Sequence, residues 1–201
     1  TFSAEAVVAL LSALQDENSW VRASAANALG NVTLPPQAVT ALLGALRDKD
    51  SKVRAIAAEA LSNATLSEEA VDSLLTTLRD KNSKIRASAA DALGKTAFFP
   101  SALEALLNAL RDKNSKVRAS AADALKNAAT LSTEAVTALL AALRDENTKV
   151  RLSATDAIRK TTLSTEAVTA LLGSLRDENS KVRNSAADAL RNGTLSSEAV
   201  A

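Results

Sequence analysis

Asp112-Lys113-Asn114-Ser115-Lys116-Val117-Arg118-Ala119-Ser120-Ala121-Ala122-Asp123-Ala124-Leu125 is one copy of a pattern that runs through the whole chain. Its Val/Ile-Arg pair recurs at Val21-Arg22, Val53-Arg54, Ile85-Arg86, Val150-Arg151 and Val182-Arg183. The steps are 32 residues, except for one of 33 caused by an extra residue within Ala128-Ala129-Thr130. A Leu-Leu pair, from Leu10-Leu11 to Leu171-Leu172, keeps the same steps. A period of this length marks stacked helical units. A single array over 1–201 is therefore predicted, with units 1–32, 33–64, 65–96, 97–129, 130–161 and 162–193 and a partial seventh over 194–201. The open face of that last unit suggests a fragment of a longer array.

Each unit reads as two short helices. The first follows a Thr-Leu-Ser segment such as Thr65-Leu66-Ser67, where the Ser67 hydroxyl is placed to cap the helix N-terminus. Leu66 and Val71 have the spacing of a hydrophobic staple, and Phe2 with Val7 and Phe98 with Leu103 repeat it. Pro36 and Pro100 fall at first helical positions, where a missing N–H is harmless. Val71, Leu74, Leu75 and Leu78 then form one apolar face, and Leu75 is expected to be a core residue. The second helix follows Asp80-Lys81-Asn82-Ser83, with Asn82 favoured over Ser83 as N-cap. Gly94 is expected to stop it in the manner of a helix-ending glycine. Asn31, Asn63 and Asn192 stand in Asn-x-Thr triplets, a glycosylation pattern. Their place after a helix is better explained by tolerance of the left-handed conformation. Neither helix is long enough to be stable alone, so each depends on its neighbours.

The composition removes several classes of function. The chain has 201 residues, with 24 Lys plus Arg against 23 Asp plus Glu, and no Cys, His, Met or Tyr. Without Cys or His there is no thiol nucleophile, no imidazole base and no zinc site of the usual ligands. A net charge of +1 argues against a dedicated nucleic-acid or membrane binder. No apolar run approaches the length of a membrane span. The absence of Cys suits a reducing compartment such as the cytoplasm.

The motif Asp-x-Asn-Ser-Lys-Val-Arg-x-Ser-Ala-Ala-Asp-Ala-Leu resembles the HEAT repeat in its short, lyase-type form, and the resemblance covers all six units. It departs from that form in having Ser or Thr, not Pro, after the second-helix N-cap. The resemblance implies an all-α fold, a right-handed α-α superhelix whose second helices line a concave face. It also implies a structural ladder between units. The matching residues are Asp16, Asp48, Asp80, Asp112, Asp145 and Asp177, with Arg22, Arg54, Arg86, Arg118, Arg151 and Arg183. A guanidinium beside an apolar face needs a carboxylate partner in any case.

On those second helices the helical wheel gives four exposed rows. The first is Trp20, Lys52, Lys84, Lys116, Lys149 and Lys181; the second is Ser24, Ile56, Ser88, Ser120, Ser153 and Ser185. The third is Asn27, Glu59, Asp91, Asp123, Asp156 and Asp188; the fourth is Asn31, Asn63, Lys95, Asn127, Lys160 and Asn192. The Lys row stands in the first turn, against the helix dipole, and reads either as a solvated face or as a stripe for an acidic partner. The acidic row beside it would repel a phosphate backbone. Trp20 reads either as an anchor or as a cover for the end of the stack, and Ile56, Phe99, Leu152 and Asn184 are further exceptions to the rows.

The expected function is therefore a non-enzymatic scaffold that binds a protein or peptide on its concave surface. Trp20, the five Lys and Asp91, Asp123, Asp156 and Asp188 form its candidate surface. No cofactor, metal or catalytic residue is expected. The alternative is a structural spacer or end-to-end stacking array, an excised or engineered fragment whose open ends meet head to tail through Leu190, Leu195 and Val200.

Overall fold

The computed structural model describes residues 3–31, 33–62, 64, 66–94, 99–128 and 131–196. Phe2, Asn63, Lys95, Phe98 and Val200 lie outside the described residues, as does most of the partial seventh repeat. The chain divides into two compact units, Thr1–Ala105 and Leu106–Ala201. In chain order the helices are α1 (Ala4–Ala13), α2 (Ser19–Gly30), α3 (Pro36–Ala45), α4 (Ser51–Leu61), α5 (Glu68–Thr77), α6 (Ser83–Leu93) and α7 (Pro100–Ala109). They continue with α8 (Ser115–Leu125), α9 (Thr133–Ala142), α10 (Thr148–Ile158), α11 (Thr165–Ser174) and α12 (Ser180–Asn192). Odd-numbered helices open a repeat and even-numbered helices close it, so the fold is an α-solenoid.

The Asp-x-Asn/Asp turn explains why every second helix begins where it does. Asp48 Oδ1 accepts the Asp50 N–H at 2.8 Å, and Asp50 Oδ1 accepts the Lys52 N–H at 2.8 Å. The same two interlocked bonds recur at Asp145, Asn147 and Lys149, at 2.8 and 3.0 Å. Two carboxamide or carboxylate groups thus satisfy N–H groups that a helix start leaves without partners. At first helices, Ser3, Ser132 and Ser164 cap by accepting an N–H three residues on. Ser67 occupies the cap position of α5 without a side-chain hydrogen bond, contrary to expectation.

In the first unit α2 packs on α4 and α4 on α6; in the second α8 packs on α10 and α10 on α12. Small residues permit this closeness. Ala57, Ala58, Ala89 and Ala90 have no exposed surface, nor do Ala121, Ala122 and Ala154. Gly30 marks such an approach, for a Cβ there would come within 2.7 Å of the Ala60 Cβ. From α3 on, first helices contribute the first Leu of each pair, whereas Leu10 of α1 is half-buried. Leu42, Leu74, Leu106, Leu139 and Leu171 are fully buried, as are Ala38, Ala70, Ala102, Ala135 and Ala167 four residues before them. Leu75 and Leu78 are only half-buried, so the core position is Leu74 and not Leu75.

Helix ends also differ from expectation. Among the described residues no glycine or other residue has positive φ. Gly94 closes α6 at φ −60° and ψ −20°, still right-handed. Asn31 sits at φ −90° and ψ 4°, and its Nδ2 donates to the Asn27 carbonyl at 2.9 Å. The helices therefore run out in right-handed turns, and side-chain bonding explains Asn31 better than left-handed tolerance. One further element was not anticipated. Thr162-Leu163 (β1) pairs in parallel with Thr194-Leu195 (β2), in the register Thr162 to Thr194. These are the Thr-Leu segments of successive repeats, brought side by side by the period itself.

Candidate binding surface on the second helices

Each second helix is held by the arginine after its Val or Ile. In the first unit Arg22 forks onto Asp48, Nε to Oδ2 at 2.6 Å and Nη2 to Oδ1 at 2.8 Å. Arg54 reaches Asp80 with Nε at 2.8 Å. In the second unit Arg118 forks onto Asp145 at 2.7 and 2.9 Å, and Arg151 onto Asp177 at 2.6 and 3.0 Å. The remaining nitrogen of each turns back. Arg151 Nη1 donates to the Asp145 and Glu146 carbonyls at 3.0 and 3.1 Å. Arg86 makes the same return to the Asp80 and Lys81 carbonyls, and Arg183 to those of Asp177 and Glu178. Asp16 and Asp112 hold their own turns through the Asn18 and Asn114 N–H groups. One aspartate thus fixes its own turn and receives the preceding repeat's guanidinium.

That double duty holds the carboxyls low. The Arg22 guanidinium keeps Asp48 below the ordinary carboxylate range, and Arg151 does the same for Asp177. Burial pushes Asp80 and Asp145 upward, but Arg54 and Arg118 and the turn N–H groups outweigh it, and both end low. A carboxyl depressed on folding adds stability above its unfolded pKa, about 3.9 for Asp, and loses it as pH falls through the folded value. The melting temperature is therefore expected to stay level from neutral pH to about 5 and to fall steadily below about 4. Circular-dichroism melts across that range check this; an unchanged melting temperature at pH ~2 would contradict it.

The rows read from the wheel are only partly exposed. Lys52, Lys84, Lys116, Lys149 and Lys181 all reach solvent, as do Glu59, Asp91 and Asp123. Asn27, Asn31, Asn127, Lys160 and Asn192 are exposed as expected. The second row is not. Ser24 is exposed, Ile56, Ser88 and Ser120 are half-buried, and Ser153 and Ser185 are buried. Close approach of successive second helices closes over that row. Asp156 and Asp188 are half-buried for the same reason. Phe99, one of the exceptions, is also half-buried.

Charges of opposite sign are treated differently. Asp123 accepts from Lys126 Nζ at 2.6 Å, Asp188 from Arg191 Nη2 at 3.0 Å, and Asp156 from the Ser185 hydroxyl. The ammonium groups of Lys84, Lys116, Lys149 and Lys181 have no side-chain partner among the described residues. Lys52 differs, with Nζ 3.4 Å from the centroid of Trp20, a cation–π contact. Trp20 remains 68% exposed, so its ring lies on the surface against the next repeat's Lys. It does not cover the end of the stack, where Val8 is left 65% exposed.

Between α10 and α12 this surface sinks into a groove of about 590 Å³. Leu152, Asp156, Arg159, Lys181, Asn184 and Asp188 line it. Sequence reading had singled out all of these except Arg159. Its position carries Gly30, Ser62, Gly94, Lys126 and Arg191 in the other repeats, so a turn to basic residues from the fourth repeat on is the signal that could have found it. On the first-helix side a groove of about 750 Å³ lies beside Leu131, Val136 and Leu140, next to the extra residue of the fourth repeat. Among the described residues no group of three or more Asp or Glu side chains is placed to hold a metal ion. Among the described residues no helix is long and apolar enough to cross a membrane.

The repeat-by-repeat turn, clamp and Ala-rich second helix are matched by the profile of HEAT repeats over residues 3–62, 45–126 and 103–191. The chain belongs to the HEAT repeat family. A comparison with curated proteins finds no match. Among solved structures this HEAT chain is similar to an engineered protein at 26% identity and TM-score 0.68, covering 94% of this chain and 98% of the other. A second engineered protein matches at 25% identity and TM-score 0.69, covering 92% and 97%. A designed armadillo repeat protein, solved in complex with the peptide (KR)4, shares the fold at 19% identity and TM-score 0.71, covering 92% and 98%.

Proposed function

We propose that this HEAT chain is a non-enzymatic scaffold that binds a protein or peptide on the surface formed by its second helices. One observation carries the reading. The carboxylates Asp123, Asp156 and Asp188 are engaged by neighbours, while the ammonium groups of Lys84, Lys116, Lys149 and Lys181 have no side-chain partner among the described residues. Each of those lysines opposes the positive end of a helix dipole, an arrangement that folding alone does not favour. The ladder beneath holds the helices that carry them, and rigid presentation lowers the entropic cost of binding. A designed armadillo protein of the same fold bound to a peptide supports this general use of the architecture. The absence of His and Cys from the sequence is in keeping with a binding role.

Panning a displayed peptide library tests the reading. The baits are the chain and a variant with Lys52, Lys84, Lys116, Lys149 and Lys181 changed to Ser. Sequences enriched on the first and absent from the second support it. No enrichment over an empty support removes it.

End-to-end stacking is kept as a second reading because the terminal repeats expose apolar side chains. Val8 and Val21 do so near the start, and Leu172, Leu175 and Leu195 near the end. Leu190, also expected to take part, is half-buried. Sedimentation velocity across a concentration series decides it: a monomer throughout removes the reading, and growth that Leu195→Ser abolishes supports it.

A further inference from the structure

We propose that the groove between α10 and α12 docks an acidic peptide segment that carries an apolar side chain. The proposal rests on the scaffold reading above and gives it a place and a chemistry. The repeat departs from its own pattern here. Ala23, Ala55, Ala87 and Ala119 occupy a position that becomes Leu152 in α10 and Asn184 in α12. One turn on from the acidic row the position runs Gly30, Ser62, Gly94, Lys126, Arg159 and Arg191, so it turns basic from the fourth repeat on. Leu152, Asn184 and Arg159 line the same groove.

The groove's charges are unequally available. Asp156 is taken by the Ser185 hydroxyl, and Asp188 by Arg191 at 3.0 Å. Arg159 and Lys181 are exposed and have no side-chain partner among the described residues. Asn184 and Ser180 add exposed neutral donors. An incoming carboxylate therefore meets open cations, whereas an incoming cation meets carboxylates already engaged. Leu152, half-buried in the wall, offers the apolar contact. The Arg151–Asp177 pair, immediately beside Leu152, fixes α10 against α12 and so holds the groove at a set width. The groove is shallow and open to solvent, so it would take one side of an extended segment and not enclose a ligand.

Fluorescence anisotropy with a labelled Glu-rich peptide carrying Leu at every third position tests this, beside its Lys-for-Glu and Gln-for-Glu counterparts. The chain is expected to bind the Glu peptide, and binding is expected to weaken steeply with added salt. Arg159→Ser with Lys181→Ser is expected to lower that affinity at least about ten-fold, each lost charge-assisted bond accounting for roughly that factor. Both residues are exposed, so far-UV circular dichroism and the melting temperature should not move. Lys49→Ser with Lys81→Ser, at exposed turn positions of the other unit, should leave the affinity as it was. Binding of the Glu peptide that survives Arg159→Ser/Lys181→Ser but is lost on changing Lys52, Lys84 and Lys116 overturns the groove and leaves the scaffold standing. Preference for the Lys peptide overturns the acidic chemistry. Binding of none of the three overturns the groove, and the library panning then decides the scaffold separately.

Discussion

Arg151→Ala should destabilise the chain by about 3–5 kcal/mol, the usual effect of removing one partner of a buried ion pair. Arg151 and Asp177 are each 9% exposed at the side chain. The guanidinium makes two bonds to Asp177, one to Glu178 Oε1 at 2.9 Å, one to the Thr148 hydroxyl at 3.3 Å and two to the turn carbonyls of Asp145 and Glu146. The substitution leaves a desolvated carboxylate with only the Asn179 N–H at 2.8 Å. It also removes the tie between one repeat's turn and the next. Arg151→Lys should recover less than half of the loss, because an ammonium cannot fork onto a carboxylate and two carbonyls together. Arg183→Ala serves as the control. Arg183 is exposed and among the described residues bonds to the carbonyls of its own turn alone, so its loss should stay near 1 kcal/mol or below. Urea unfolding of the three variants measures this. Equal losses for Arg151→Ala and Arg183→Ala would show that the inter-repeat pair contributes nothing beyond the turn.

Leu139→Ala should cost about 2–5 kcal/mol, through lost burial and the cavity left behind. Leu139 has no exposed surface and lies where α9 packs on α10. Its neighbour Leu140 is half-buried, and Leu140→Ala should cost less than half as much. The unfolding of Leu139→Ala should remain one cooperative transition across the repeats of its unit, because a two-helix repeat cannot bury its own apolar stripe. Guanidinium unfolding followed by circular dichroism checks both points. Equal losses at the two leucines would refute the core assignment, and an early transition the size of one repeat would refute cooperativity.

Leucine pairs show how far sequence reading reaches. The period placed Leu74 and Leu75 on one helix face, but a wheel cannot tell the centre of a stripe from its flank. The centre is set by where the second helices lie, and these sit against Leu74 and Ala70. Rows on the second helices fared in the same way. Lys52 and Lys181 project beyond the packed surface wherever their helices lie, so their exposure was legible. Ser153 and Ser185 are short, and successive helices close over them. Gly94 and Asn31 were read by the commonest way helices end, whereas here the chain leaves each helix in right-handed turns. Arg159 does not stand out in the sequence, since Lys126 and Arg191 are equally basic at its position, and nothing there places it beside Lys181.

The sequence by itself determined the two-helix repeat, its period, the N-caps of its second helices and its family. Those properties depend on contacts within a turn or two of one helix, and local spacing encodes such contacts directly. Only the tertiary structure decided which leucine is core, which row is covered, which carboxylates are already engaged and where Leu152, Arg159 and Lys181 meet. These depend on the distance between successive second helices, which Ala57, Ala89 and Ala121 allow to be small but do not set alone. It is set by the joint packing of neighbouring repeats and by the arginine clamps that join them.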